Sequence, residues 1–214
     1  ITSSQYVCGP EHYPAHDADY GPHTVYGQSK VLTEKLTREA EMSCPWTLVR
    51  PVNIWGPWHM RYRREAWAVI RRGLYFHPGG KPVMRTYGYV GNVIWQIEQV
   101  LAAEHGLVDG KVFYVGDEAI DIYDWASAFS EAIHGSVARK IPRPLLRSIA
   151  LVGDAVTAVT GRGFPLTSSR YRSMTQDYVT PIGETFETFG PPPFSLEQGV
   201  DETVKWLRAY GWES

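Results

Sequence analysis

Along this chain the spacing of apolar positions switches between a strand-like and a helix-like period, which predicts strands interleaved with helices. The opening "ITSSQYVC" reads as the end of a buried strand, and residues 10–23, crowded with Pro, His, Asp and Gly, as a loop. From about Thr24 to Met42, Val25, Leu32, Leu36 and Ala40 recur near helical spacing, with Thr24 placed to cap the helix. "WTLVRPV" is a short apolar strand that stops at Pro51, "NIWGPWHM" a loop, and Arg63–Leu74 a helix. "YFHPGGKPVMRTYGYV" suggests a turn between short strands, before a helix over Asn92–Glu104. "GKVFYVGD" is another buried strand, followed by helices over Ile122–His134 and residues 142–160. In "TGRGFPL" the glycines suit a helix C-cap and loop. After "PPP", Ser195 and Gln198 make a capping box that opens a terminal helix.

Buried strands alternating with helices favour a parallel sheet covered by helices. The irregular, Pro- and Gly-rich stretches look like a smaller cap interleaved with that sheet. The expected division gives 1–54 and about 92–134 to the sheet domain, and about 55–91 and 135–214 to the cap.

Composition narrows the classes. With 43% hydrophobic and 21% charged residues in 214, the chain suits one large globular domain or two small ones. A formal net charge of −2 offers no basic field for nucleic acid. No apolar run is long enough for a membrane span. Cys8 and Cys44 lack metal-ligand spacing and read as free thiols of a reducing, cytoplasmic compartment. The seven histidines build no Cys/His cluster, and no metal is expected.

The candidate chemistry sits in "YGQSK". Tyr26 and Lys30 are four residues apart, on one face of the predicted helix. A phenol ordinarily titrates near 10, and bringing one to about 7 takes roughly 4 kcal/mol. An ammonium about 5 Å away supplies on the order of 3 kcal/mol at an effective dielectric of about 20. With a hydroxyl donor added, such a pair becomes an acid/base able to move a proton at a carbinol oxygen. Alone the spacing is weak, since chance offers about 0.4 such pairs in a chain like this one. A surface Tyr–Lys pair is the plain alternative. Two further features reinforce the chemical reading. Ser3 and Ser4 close a strand just upstream, and "LVRPVNIWGP" ends another; in open parallel sheets ligands gather at such carboxyl ends.

Four segments in order, "SSQYVCG", "YGQSKVLTEKL", "LVRPVNIWGP" and "MRTYGYVGNVIWQIEQVL", with the tail "FSLEQGVDETVKWLRAYG", resemble the extended short-chain dehydrogenase/reductases, the NAD-dependent epimerase/dehydratase group. The resemblance implies an α/β chain, the C-terminal part of a Rossmann-like doubly wound parallel sheet with a small interleaved substrate-binding cap. It implies NAD or NADP as cofactor and a nucleotide-sugar, or another small carbonyl or hydroxyl compound, as substrate. Ser4, five residues before Gly9, matches the catalytic hydroxyl that bonds the substrate oxygen. Tyr26 matches the acid/base, and Lys30 the cation that favours its phenolate and binds the nicotinamide ribose. Val52 matches a backbone contact to the nicotinamide. Asn53 and Arg85 match positions that hold the substrate diphosphate, an anion suited to an arginine fork. A loop asparagine and an exposed strand arginine are the plain readings of these two. A homodimer through the Tyr26 helix is a further implication.

Departures from the family pattern matter as well. Cys8 stands where Tyr is frequent, and Asn92 where Asp is usual. No acidic pair follows Ser4, since Gln5 and Tyr6 stand there, which favours an epimerase or a simple reductase over a dehydratase. The strand, glycine-rich turn and helix that hold the pyrophosphate in the family have no counterpart. The expectation is therefore an N-terminally truncated chain with a weakened cofactor site and an unpaired sheet edge prone to association. The alternatives are an NADP-dependent ketone or aldehyde reductase of the same superfamily, or a non-catalytic remnant acting as a binding module.

Overall fold

The structure, a computed structural model, describes residues 1–161 and 163–210. Arg162 of "TGRGFPL" and Gly211, which ends the tail segment, lie outside the described residues. The chain forms two compact units: Ile1–Trp55, Arg85–Ala119 and Tyr178–Ser195 make the first, and Gly56–Met84, Ile120–Asp177 and the residues from Leu196 on make the second.

The first unit is built on parallel strands. β1 (Leu48–Pro51) pairs in parallel with β4 (Val112–Val115), Leu48 opposite Val112 and Pro51 opposite Val115. On the other side of β1 the opening residues add a single parallel bridge, Thr2 to Val49, before the chain turns into a short 3-10 helix at Gln5–Val7. The expected strand end at "ITSSQYVC" is thus shorter than its apolar pattern, because Ser4 caps that turn: its Oγ accepts from the Tyr6 N–H at 3.3 Å. All of β4 is buried, as a strand covered on both faces must be. β2 (Asn53–Trp55) pairs in parallel with β3 (Met84–Tyr89), so the expected loop after Pro51 begins as a strand.

Two helices of this unit matter for the site. α1 (Val25–Glu39) starts at Thr24, whose Oγ1 accepts from the Gly27 N–H at 3.0 Å. α2 (Val90–Ala102) sends Val100 into a cluster with Val49, Val108 and Phe113. Asn92, buried at the start of α2, donates to Asp117 Oδ1 at 2.7 Å and to the Phe194 carbonyl at 2.8 Å, and accepts from the Phe194 N–H at 2.9 Å. An aspartate could not make those two donations, so the departure from the family pattern at Asn92 has a local reason.

In the second unit the helix Ile122–His134 packs against the helix Leu196–Ala209. Trp67, Trp125 and Phe129 meet in an aromatic cluster, with ring centroids 4.9 Å apart for Trp125 and Phe129 and 5.6 Å apart for Trp67 and Phe129. The expected helix at Arg63–Leu74 begins at Met60 and carries a π-helical segment over Arg63–Trp67. Phe76–Pro78 pairs in parallel with Arg139–Ile141. The Ile122–His134 helix, grouped from sequence with the sheet domain, belongs to this unit because its apolar face lies on the terminal helix. The Arg143–Thr160 helix ends at Gly161, which takes the left-handed conformation at φ 66°. No helix among the described residues is long and apolar enough to cross a membrane.

Candidate active site

The sequence-marked residues converge in the first unit around a side chain that the sequence reading gave no role, Tyr6. Tyr26 lies in the first turn of α1, 53% exposed, with its ring edge-on to Tyr6 at 5.9 Å between centroids. Lys30, one turn on, holds Nζ 5.8 Å from the Tyr26 ring centre and donates to the Thr2 carbonyl at 3.1 Å. That bond ties the lysine to the strand that leads into Ser4. Ser4 is buried and acts on Tyr6 through the backbone, as its N-cap.

From Tyr6 the cluster extends two ways. Its hydroxyl donates to Asn53 Oδ1 at 3.4 Å, at the start of β2. Its ring stacks on His23 at 5.7 Å and meets Tyr178 edge-on at 6.2 Å. Arg85, on β3, bridges the backbone of Tyr178 and sets its guanidinium carbon 5.9 Å from that ring. Tyr178 is fixed by donating its hydroxyl to the carbonyls of Cys8 and Gln5. Tyr26, Lys30, Ser4, Asn53 and Arg85 therefore form one chain of contacts through Tyr6 and Tyr178. Val52 stands apart: it is buried, its N–H donates to Val115 O at 3.1 Å, and its side chain fills the space over Gly88 and Gly116.

Behind this cluster lies an ion pair with no exposed surface on either side chain. Glu34, two turns along α1 from Tyr26, accepts from Arg50 at Oε1 (2.8 Å) and Oε2 (2.6 Å). Ser3 donates to the same carboxylate, as does Tyr20 at 3.0 Å, and Arg50 also donates to the Tyr114 hydroxyl at 2.9 Å. Burial disfavours the Arg50 charge, but the bonds to Glu34 and Tyr114 outweigh it and hold the guanidinium protonated beyond its usual range. The signal in the sequence was the arginine inside "LVRPV", since a charge in a buried strand requires a partner.

A cavity of about 650 Å3 opens elsewhere in the unit, beside Asp17, Arg50, Tyr114, Glu118 and Thr180, and none of the sequence-marked residues lines it. Among the described residues no group of His, Cys, Asp and Glu could hold a metal ion. Cys8 and Cys44 are free thiols, and burial pushes the Cys8 thiol up, away from reactivity.

The profile of the NAD dependent epimerase/dehydratase family matches residues 1–116, more than half of the chain. This chain belongs to the NAD-dependent epimerase/dehydratase family. Two proteins named as uncharacterized are similar in sequence. The protein y4nL of Sinorhizobium fredii is 22% identical, over 92% of this chain and 57% of its own length. YbjS of Escherichia coli K12 is also 22% identical, over 99% of this chain and 66% of its own length. This family member thus spans less than two thirds of either relative. Among solved structures, the UDP-glucuronic acid 4-epimerase of Bacillus cereus, in complex with UDP-glucuronic acid and NAD, superposes with a TM-score of 0.66 at 16% identity, over 98% of this chain and 61% of that one. The NAD-dependent NDP-hexosamine 5,6-dehydratase TunA does so with a TM-score of 0.64 at 14% identity, over 99% and 63%. The fold is the α/β, Rossmann-like architecture of these epimerases and dehydratases.

The donors present fit the nicotinamide-ribose end of the family's cofactor. Lys30 gives one N–H to the Thr2 carbonyl and has two others for ribose hydroxyls. The sequence contains no strand–GxxGxxG–helix segment for the pyrophosphate.

Proposed function

We propose that this chain carries the acid/base and substrate end of an NAD(P)-dependent epimerase/dehydratase-type enzyme that acts on a nucleotide-sugar. The observation that carries the reading is the Tyr26–Lys30 pair on one face of α1, with Lys30 anchored to the strand that leads to Ser4 and Tyr26 set against Tyr6. The nicotinamide cofactor, when bound, accepts a hydride from a sugar carbon and returns it. Tyr26 takes the hydroxyl proton as that carbon is oxidised and gives a proton back on reduction. Lys30 bonds the nicotinamide ribose with the N–H groups that the Thr2 carbonyl leaves over. Ser4 steadies the substrate oxygen, and the backbone of Val52, whose N–H is taken by Val115, would offer the nicotinamide its carbonyl. Asn53 and Arg85 hold the diphosphate, which a guanidinium binds with two parallel bonds. The exposed stripe Val25, Leu32 and Leu36 on α1 supports a homodimer through that helix.

The test is the protein assayed with UDP-sugars in the presence of NAD or NADP. Tyr26→Phe should lower kcat about 100- to 10,000-fold with folding unchanged. Retention of activity would end the acid/base assignment. Arg85→Ala should raise KM for nucleotide-sugars and leave small ketones untouched. If small ketones are the better substrates and the variant behaves like the parent, the reductase reading replaces this one. Calorimetry of the present chain with NAD and NADP asks separately how much of the cofactor site it holds.

A further inference from the structure

The Arg143–Thr160 helix of the second unit is apolar on both of its sides. Leu146, Ala150 and Gly153 are its buried residues, and Gly153 is packed so tightly that a Cβ there would meet the Leu166 carbonyl at 2.0 Å. The opposite side is exposed among the described residues. Leu145 is 53% exposed, Leu151 57%, Val152 59% and Val159 87%, with Val156, Ala155 and Ala158 exposed among them. At helical spacing these side chains fall on one arc, broken only by Ser148, whose hydroxyl donates to the Pro144 carbonyl, with Arg147 at its edge. From Ser148 to Val159 no exposed position of the helix carries a charge. A surface helix normally turns polar residues outward, so an apolar outer arc this long asks for a partner.

Charge indicates which partner. The chain as a whole carries −2, yet from Gly135 to Gln176 every charged residue except Asp154 is Arg or Lys. Asp154 is turned to the Ser168 N–H, which donates to its carboxylate at 3.1 Å, and leaves the outer arc uncontested. Arg139, Lys140, Arg147 and Arg172 are exposed in the elements that precede, form and follow the helix. An apolar arc on a helix that cannot span, in a stretch of sequence rich in cations, is the pattern of a segment lying in the interface of an anionic bilayer. A second copy of this chain would bring the same cations against one another. We propose that the second unit docks on anionic lipid surfaces through the outer arc of this helix, with Leu151, Val152, Val156 and Val159 entering the headgroup region and the arginines meeting lipid phosphates.

The test is flotation of the full chain with vesicles of phosphatidylcholine alone and of phosphatidylcholine mixed equally with phosphatidylglycerol. Binding to the anionic vesicles only, weakened by salt, is expected. Val152→Glu with Val156→Glu should lower it about tenfold or more, and Arg147→Glu about fivefold. Both alter solvent-facing positions, so melting should match the parent. Failure of the parent to bind anionic vesicles, or equal binding by the paired variant, overturns the proposal. A third result would also overturn it: no vesicle binding, together with a fall in mass by light scattering in Val152→Glu/Val156→Glu, would assign the arc to a second copy.

Discussion

The two units keep their interiors by different means. The first buries charge and satisfies it: Glu34 and Arg50 have no exposed surface, and Ser3, Tyr20 and Tyr114 complete their bonds. The second buries rings, with Trp67 and Phe129 fully covered and Trp125 beside them. A hydrogen-bonded pair depends on direction, whereas a ring cluster depends mainly on volume. The unit that holds the proposed acid/base pair is therefore the one whose geometry is set by directed bonds. Glu34 sits on the helix that carries Tyr26 and Lys30, and Arg50 on the strand that leads to Val52 and Asn53.

The largest expected effect breaks the first interior. Arg50→Met leaves the Glu34 carboxylate buried and unpaired, and should cost about 3–5 kcal/mol in urea unfolding. Adding Glu34→Leu should recover most of that loss, because an apolar pair needs no partner. No recovery would mean that Arg50 acts through packing alone. Arg50→Lys should also be poorly tolerated, since an ammonium cannot reproduce the fork onto Glu34 and Tyr114. The matching change in the second unit, Phe129→Leu, should cost less than about 1.5 kcal/mol. A larger loss there would erase the contrast.

The smallest effect is a difference in sign with pH. Burial pushes the Asp117 carboxyl in the first unit from 3.8 up to about 6, against bonds from the Tyr89 N–H and Asn92 that lower it. Its folded state holds the proton more tightly, so its contribution is full below 3.8 and lost as pH rises through about 6. Burial, with Lys140 and Arg143 nearby, brings His77 in the second unit from 6.5 down to about 4, although Asp121 acts the other way. Its contribution is present above 6.5 and lost as pH falls through about 4. On acidification the melting midpoint of Asp117→Asn should fall more steeply than that of the parent. That of His77→Gln should fall less steeply. Parallel profiles would place the pH response in other groups.

Much of this architecture was legible in the sequence where one local signal decided the outcome. The helix Ile122–His134 follows from its period, the start of α1 from Thr24, and the stop of β1 from Pro51. β2 was not legible, because its three residues, Asn53–Trp55, give no period and its pairing comes from distant β3. Membership of the units also depends on long-range packing, which placed Ile122–His134 with the terminal helix. In the candidate site, Tyr26 and Lys30 stand out by spacing only together with the segments around them. Tyr6 and Tyr178 do not, since each is an ordinary tyrosine until the fold brings it beside Asn53 or Arg85.

Gly27 stands next to the proposed acid/base, and a Cβ there would lie 2.2 Å from the Tyr6 carbonyl oxygen. In a saturation screen this position would reject every other residue, as Tyr26 would, but for a different cause. Tyr26 variants should fail only where turnover is selected, while Gly27 variants should fail in an abundance screen too. The short word Tyr-Gly thus pairs a proposed reagent with its spacer, and comparing the two screens would tell the letters apart.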